Sequence, residues 1–128
     1  KPDFEVRKAI AAMFMPPVTA PDSHLRLIAW FTEGSTGAEI EALVRTYKKA
    51  TTVREDDRRG LLDTLRQFAT LNAARIQSER RTLLFDDPAN LFRAMRDDPI
   101  LAFSMADIGE IAGRDKSTVS RQLGRQGC

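Results

Sequence analysis

Cysteine is nearly absent: Cys128, the last of 128 residues, is the only one. An internal disulfide is therefore excluded, as is a thiol cluster for a metal, and Cys128 reads as a tail feature. Histidine is as scarce. His24 is alone, and with no second imidazole and no neighbouring thiol it is expected to be a surface residue near a helix start rather than a ligand or a base. No apolar run approaches the roughly 20 residues that cross a bilayer, so no membrane partner is expected and the cytoplasm is the default. The first residues, Lys1-Pro2-Asp3-Phe4-Glu5, form neither a signal peptide nor a basic transit segment and do not begin with Met, so the chain is expected to be an excerpt of something longer. Strand-like alternation and hairpin signals are missing throughout, which predicts an all-α fold.

Strong charge imbalance is missing too. The 20 basic and 18 acidic side chains leave a net charge of +2, too near balance to announce a nucleic-acid partner. Residues 86–128 hold six basic against seven acidic side chains, which argues against indiscriminate DNA binding. Within them, residues 114–128 carry Arg114, Lys116, Arg121 and Arg125 against Asp115 alone. Positive charge is thus concentrated on the last element, as a directed DNA contact requires.

What is present is a soluble globular composition, 42% hydrophobic and 30% charged, with length enough for a real core. Pro2 and Asp3 start a first helix over residues 2–15, with Phe4, Ile10, Ala11 and Phe14 at helical spacing, and Pro16-Pro17 ends it. Asp22 or Ser23 is expected to cap a second helix, with Leu25, Ile28, Ala29 and Trp30 inward, broken by Gly34-Ser35-Thr36-Gly37. A third runs from Thr36 through Ala38, Ile40, Leu43, Val44 and Tyr47 and fades in Thr51-Thr52-Val53. After the mixed charges of residues 54–59, expected to be solvated, Leu61, Leu62, Leu65, Phe68, Ala69 and Leu71 or Asn72 mark a fourth. Residues 73–85 continue it or form a separate linking helix, and Arg75, Arg80 and Arg81 with Glu79 are expected to make a solvated face.

Asp86-Asp87-Pro88 and Asp97-Asp98-Pro99 each pair an aspartate cap with proline at a first helical position. The first opens a helix with Leu91, Phe92 and Met95 inward; the second opens a short turn in which Ile100, Leu101 and Phe103 are expected to pack. From Ser104 the spacing fits two short helices meeting at a tight turn. Ile108, Ile111 and Ala112 share a face of the first, Gly113 suits the turn, Asp115 can cap the second, and Val119 and Leu123 stack at i, i+4 on it. The second helix then presents Lys116, Ser117, Ser120 and Arg121, two cations and two hydroxyls suited to phosphates and base edges, with Arg125 on phosphate.

The run Ile108-Gly109-Glu110-Ile111-Ala112-Gly113-Arg114-Asp115-Lys116-Ser117-Thr118-Val119-Ser120-Arg121-Gln122-Leu123 resembles the helix-turn-helix of bacterial regulators, with a pattern of the type I-A-x-L-L-G-x-S-x-S-T-V-S-R-x-L. Gly109 stands where that pattern has alanine, and Arg114 at a usually apolar turn position. A second stretch, Trp30-Phe31-Thr32-Glu33-Gly34-Ser35-Thr36-Gly37-Ala38-Glu39-Ile40-Glu41-Ala42-Leu43-Val44-Arg45, is similar to the lid subdomain of AAA+ ATPases, where T-E-G-x-S-G-A-D-I-x-A-L-V opens the third lid helix. The likeness extends back to Pro2-Asp3, Arg7 and Ile10 and covers roughly residues 2–53. Gly37 and Ala38, with almost no side chain, would let a helix start lie against a flat base. By that resemblance Ile10, Phe14, Gly37 and Ala38 match positions lining adenine and ribose; Phe14 stands where close relatives often have histidine, and Thr36 where serine or valine is usual.

These resemblances imply a four-helix AAA+ lid-like bundle with a linking helix over residues 1–85 and a trihelical helix-turn-helix domain over residues 86–128, in the C-terminal part of a bacterial ATPase. The chain carries no G-x-x-x-x-G-K-[ST] loop and no acidic strand end for magnesium, so it is not expected to be an enzyme by itself. ATP or ADP would be held only together with an ATPase core on another segment, and no metal by this chain. The implied partners are DNA, that core and neighbouring subunits of a ring. Alternatives are a stand-alone helix-turn-helix transcription regulator and a protein adaptor.

Overall fold

A computed structural model describes residues 3–53, 60–71 and 78–112. All regular structure among them is helical: α1 (Phe4–Phe14), α2 (Asp22–Phe31), α3 (Gly37–Val53), α4 (Gly60–Leu71), α5 (Ser78–Phe85), α6 (Pro88–Asp97) and α7 (Met105–Ala112). None is long and apolar enough to cross a membrane.

Polar side chains near each start fix several helix beginnings. Asp3 Oδ1 accepts from the Val6 amide at 2.9 Å and opens α1. Thr36 and Glu39 form a reciprocal box at α3: the Thr36 amide donates to Glu39 Oε1 at 2.9 Å and the Glu39 amide to Thr36 Oγ1 at 3.2 Å. Asp87 accepts from the Ala89 amide at 2.9 Å, with Pro88 in the first turn of α6. Ser104 and Asp107 repeat the box at α7, both bonds at 3.1 Å. At α2 the expectation is corrected: the cap is Pro21, with no side-chain bond. Asp22 turns to Lys8 of α1, at 2.8 Å, and Ser23 is buried inside the helix.

The centre of the molecule is α2. Leu27, Ile28, Ala29, Trp30 and Phe31 are all buried, so the helix is enclosed on nearly every side rather than along one stripe. α1 packs on it, α3 packs on α1, α4 packs on α3 and reaches α2, and α5 and α6 lead the chain back so that α7 lies against α2 and α4. A single cluster of buried side chains runs from Ala11 of α1 through Leu43, Leu65 and Met95 to Ile108 and Ile111 of α7, so the core continues across Asp86 without a break.

Two expected core positions are not where the spacing placed them, and one unexpected residue is buried. Leu71, at the end of α4, is 73% exposed, and Ile100 is 53% exposed, because the turn after α6 points it outward while Leu101 and Phe103 fill the core. Arg7 takes a place in the stripe of α1, which follows Phe4, Arg7 and Ala11. Two residues with positive φ shape the connections: Gly34, at +89° between α2 and α3, and Ala102, at +44°. Ala102 turns the chain so that the Phe103 amide donates to the Met95 carbonyl at 3.0 Å.

Replacing Leu65, fully buried, by alanine is expected to cost about 2–5 kcal/mol in urea unfolding. Asp87→Ala should cost about 1 kcal/mol through the lost cap. Ala102→Gly should stabilise by about 0.5–1 kcal/mol, because glycine accepts the left-handed region without a steric penalty; destabilisation would contradict the turn.

Candidate nucleotide-facing and DNA-facing sites

Of the four residues expected to line a nucleotide, Ile10 lies beside Gly37 at the start of α3, Ala38 follows Gly37 in the chain, and Phe14 is one turn further along α1. The atom nearest to a Cβ built on Gly37 is Ile10 Cδ1, at 3.9 Å, an ordinary contact distance. Packing inside this chain therefore has room for a larger residue at Gly37. Ile10 and Phe14, one turn apart on α1, are half-buried against the core; Gly37 is half-buried and Ala38 exposed. The amides of Gly37 and Ala38 belong to the first turn of a helix, where no intrahelical acceptor exists. The arrangement offers an apolar wall beside a helix N-terminus. Beside it, Glu39 accepts from the Thr36 amide.

The residues expected to contact DNA, Lys116, Ser117, Ser120, Arg121 and Arg125, lie outside the described residues, as does Arg75. The helix before them, α7, is described, and its attachment is specific. Ile108 and Ile111 are fully buried and Gly109 is buried, so this face meets the bundle. His24 is corrected from a surface residue to a buried one, 3% exposed. Its Nε2 lies 3.0 Å from the Glu110 carbonyl and its Nδ1 2.8 Å from the Tyr47 hydroxyl. A carbonyl only accepts, so Nε2 carries the proton, and in the neutral ring the tyrosine donates to Nδ1. Ser23 Oγ donates to Glu110 Oε1 at 3.2 Å. Arg26 donates to the Leu101 carbonyl, lies 3.8 Å from Asp107 and sits over the Phe103 ring at 4.7 Å.

The other end of α2 is held in the same manner. Thr32 satisfies the Ile28 carbonyl with both its amide, at 3.0 Å, and its hydroxyl, at 2.7 Å. Arg7 Nε donates to the Ala29 carbonyl at 2.8 Å, and Arg80 Nη1 to the Trp30 carbonyl at 2.6 Å. Arg80 also stacks on Trp30, 4.3 Å from its centroid, and pairs with Glu33 at 2.7 Å, which corrects its expected place on a solvated face. Burial lowers the Arg7 guanidinium below its ordinary pKa; Glu33 opposes that shift and Arg80 adds to it. Trp30 Nε1 donates to Asp98 at 3.0 Å, tying the end of α2 to the turn after α6.

Local spacing does not reveal these polar clamps, because their acceptors are backbone carbonyls far away in the chain. A signal existed: Arg7 lies in the apolar stripe of α1, and His24 precedes Leu27, Ile28 and Phe31 by three, four and seven residues, the spacing of a buried face.

Two further features complete the surface. A groove of about 160 Å³ runs between α3 and α4, floored by Leu43 and Phe68 and edged by Ala42 and exposed Leu71. Among the described residues no group of three or more His, Cys, Asp or Glu side chains is placed to hold a metal ion.

Arg80→Met keeps the bulk over Trp30 but removes the donor to its carbonyl and the cation beside Glu33. The expected cost is about 1–3 kcal/mol in urea unfolding, and a neutral result would remove the capping role. Compared with known proteins, the chain matches no family model, no curated protein and no solved structure.

Proposed function

We propose that the chain is the lid and DNA-anchoring region of a bacterial AAA+ ATPase, closing over ATP bound by an ATPase core and tethering that motor to DNA. The observation that carries this reading is the meeting of Ile10 with Gly37. Residues 27 positions apart, singled out by their likeness to nucleotide-lining positions, lie side by side at a helix start with Ala38 exposed next to them. Phe14 extends the same wall. In this reading the chain works in the cytoplasm, holds no metal, has no activity alone and contacts neighbouring subunits of a ring. Lys116, Ser117, Ser120, Arg121 and Arg125 serve DNA.

The reading is tested in two ways. Amide spectra of the chain titrated with millimolar ADP should shift at Ile10, Gly37 and Ala38, and Gly37→Val, placing bulk where the base would lie, should abolish the shifts while the fold is retained. Shifts elsewhere, or none, would contradict the lid. Fluorescence anisotropy with duplex DNA should show affinity falling with salt, and Lys116→Ala/Arg121→Ala should reduce the salt slope by about two. The groove beside Leu71 favours a protein adaptor as the second reading, and it gains if DNA does not bind at low salt.

A further inference from the structure

We infer that Ser23, His24 and Arg26 of α2 are positioning residues for DNA binding: they aim the helix-turn-helix from the bundle. The inference rests on the DNA reading above.

With eight residues, α7 is far shorter than the roughly 12–15 at which an isolated helix becomes even marginal in water, so its direction must be set from outside. The apolar contacts of Ile108 and Ile111 hold it down but are non-directional. Direction comes from two polar grips one turn apart. Arg26 holds the N-terminal end through Asp107 and the Leu101 carbonyl. Ser23 and His24 hold Glu110, by its side chain and its carbonyl respectively. Two such points on one face fix both the rotation of α7 about its axis and its position along α2.

The second grip has a particular place. Glu110 lies near the C-terminal end of α7 as described, and His24 binds its carbonyl three residues before Gly113. Tyr47 of α3 fixes the imidazole from behind, at 2.8 Å and edge-on at 5.9 Å between ring centroids. The bundle thus holds α7 at two points, the second of them four residues before Arg114 in sequence.

The test uses the full chain. His24→Leu/Arg26→Met keeps bulk and removes the directional bonds; His24→Gln keeps a donor near the position of Nε2. Each variant is compared in anisotropy with duplex DNA at a temperature where circular dichroism shows it fully folded. The expected result is a loss of about tenfold or more in affinity for the double variant and substantial rescue when His24→Gln replaces the leucine. Affinity equal to the unaltered chain, once folding is complete, overturns the positioning role and leaves the DNA reading intact. A double variant that cannot be brought to a fully folded state is replaced by Ser23→Ala/Arg26→Met, which leaves the buried His24 in place and removes a bond from each grip, and for which an affinity unchanged within twofold overturns the inference. No DNA binding by the unaltered chain, or no effect of Lys116→Ala/Arg121→Ala, overturns the DNA reading itself and the inference with it.

Discussion

Every α-helix leaves its last four carbonyls without an intrahelical donor, and a protein built from helices of 8 to 17 residues, most of them short, has many such ends to satisfy. In this chain, cationic and imidazole side chains from neighbouring helices meet that requirement. Lys48 of α3 donates to the Phe14 and Pro16 carbonyls after α1, at 2.8 and 2.9 Å. Arg7 and Arg80 serve the end of α2, Arg66 of α4 donates to the Leu84 carbonyl of α5 at 2.8 Å, and His24 binds the Glu110 carbonyl of α7. The bond to the Ala29 carbonyl is buried and most of the others are partly so, and each brings a donor to the negative end of a helix. Each also ties one helix to another, so the same interactions set the packing.

This arrangement changes the meaning of the charge balance. Many of the basic residues that make the chain slightly positive are consumed inside the fold, several with a carboxylate nearby, as Arg80 with Glu33 and Arg26 with Asp107. They are not a surface for phosphate.

Helix positions were legible in the sequence because their causes are local. Asp3, Asp87, Pro88 and the apolar spacings of Leu43, Leu65 and Met95 each act within a turn or two, and all are found in those roles. Leu71 and Ile100 misled because spacing predicts a face, whereas exposure depends on what lies opposite it. The capping cations were hidden for a different reason: their acceptors lie 18 to 50 residues away, as Leu84 does from Arg66 and Trp30 from Arg80, and a carbonyl leaves no mark in a sequence. At the candidate site, similarity named Ile10 and Gly37, but only the packing of α1 on α3 brings them into contact.

The central claim is that inter-helix caps join α1 through α7 into one cooperative body organised on α2. Native-state amide hydrogen exchange tests it most directly, by comparing the opening free energies of Ile108 and Ile111 in α7 with those of Ile28 and Phe31 in α2. The account predicts that the two groups exchange together, within about 1 kcal/mol, through global unfolding. Exchange of α7 at a free energy several kcal/mol lower, while α2 keeps its protection, would contradict it.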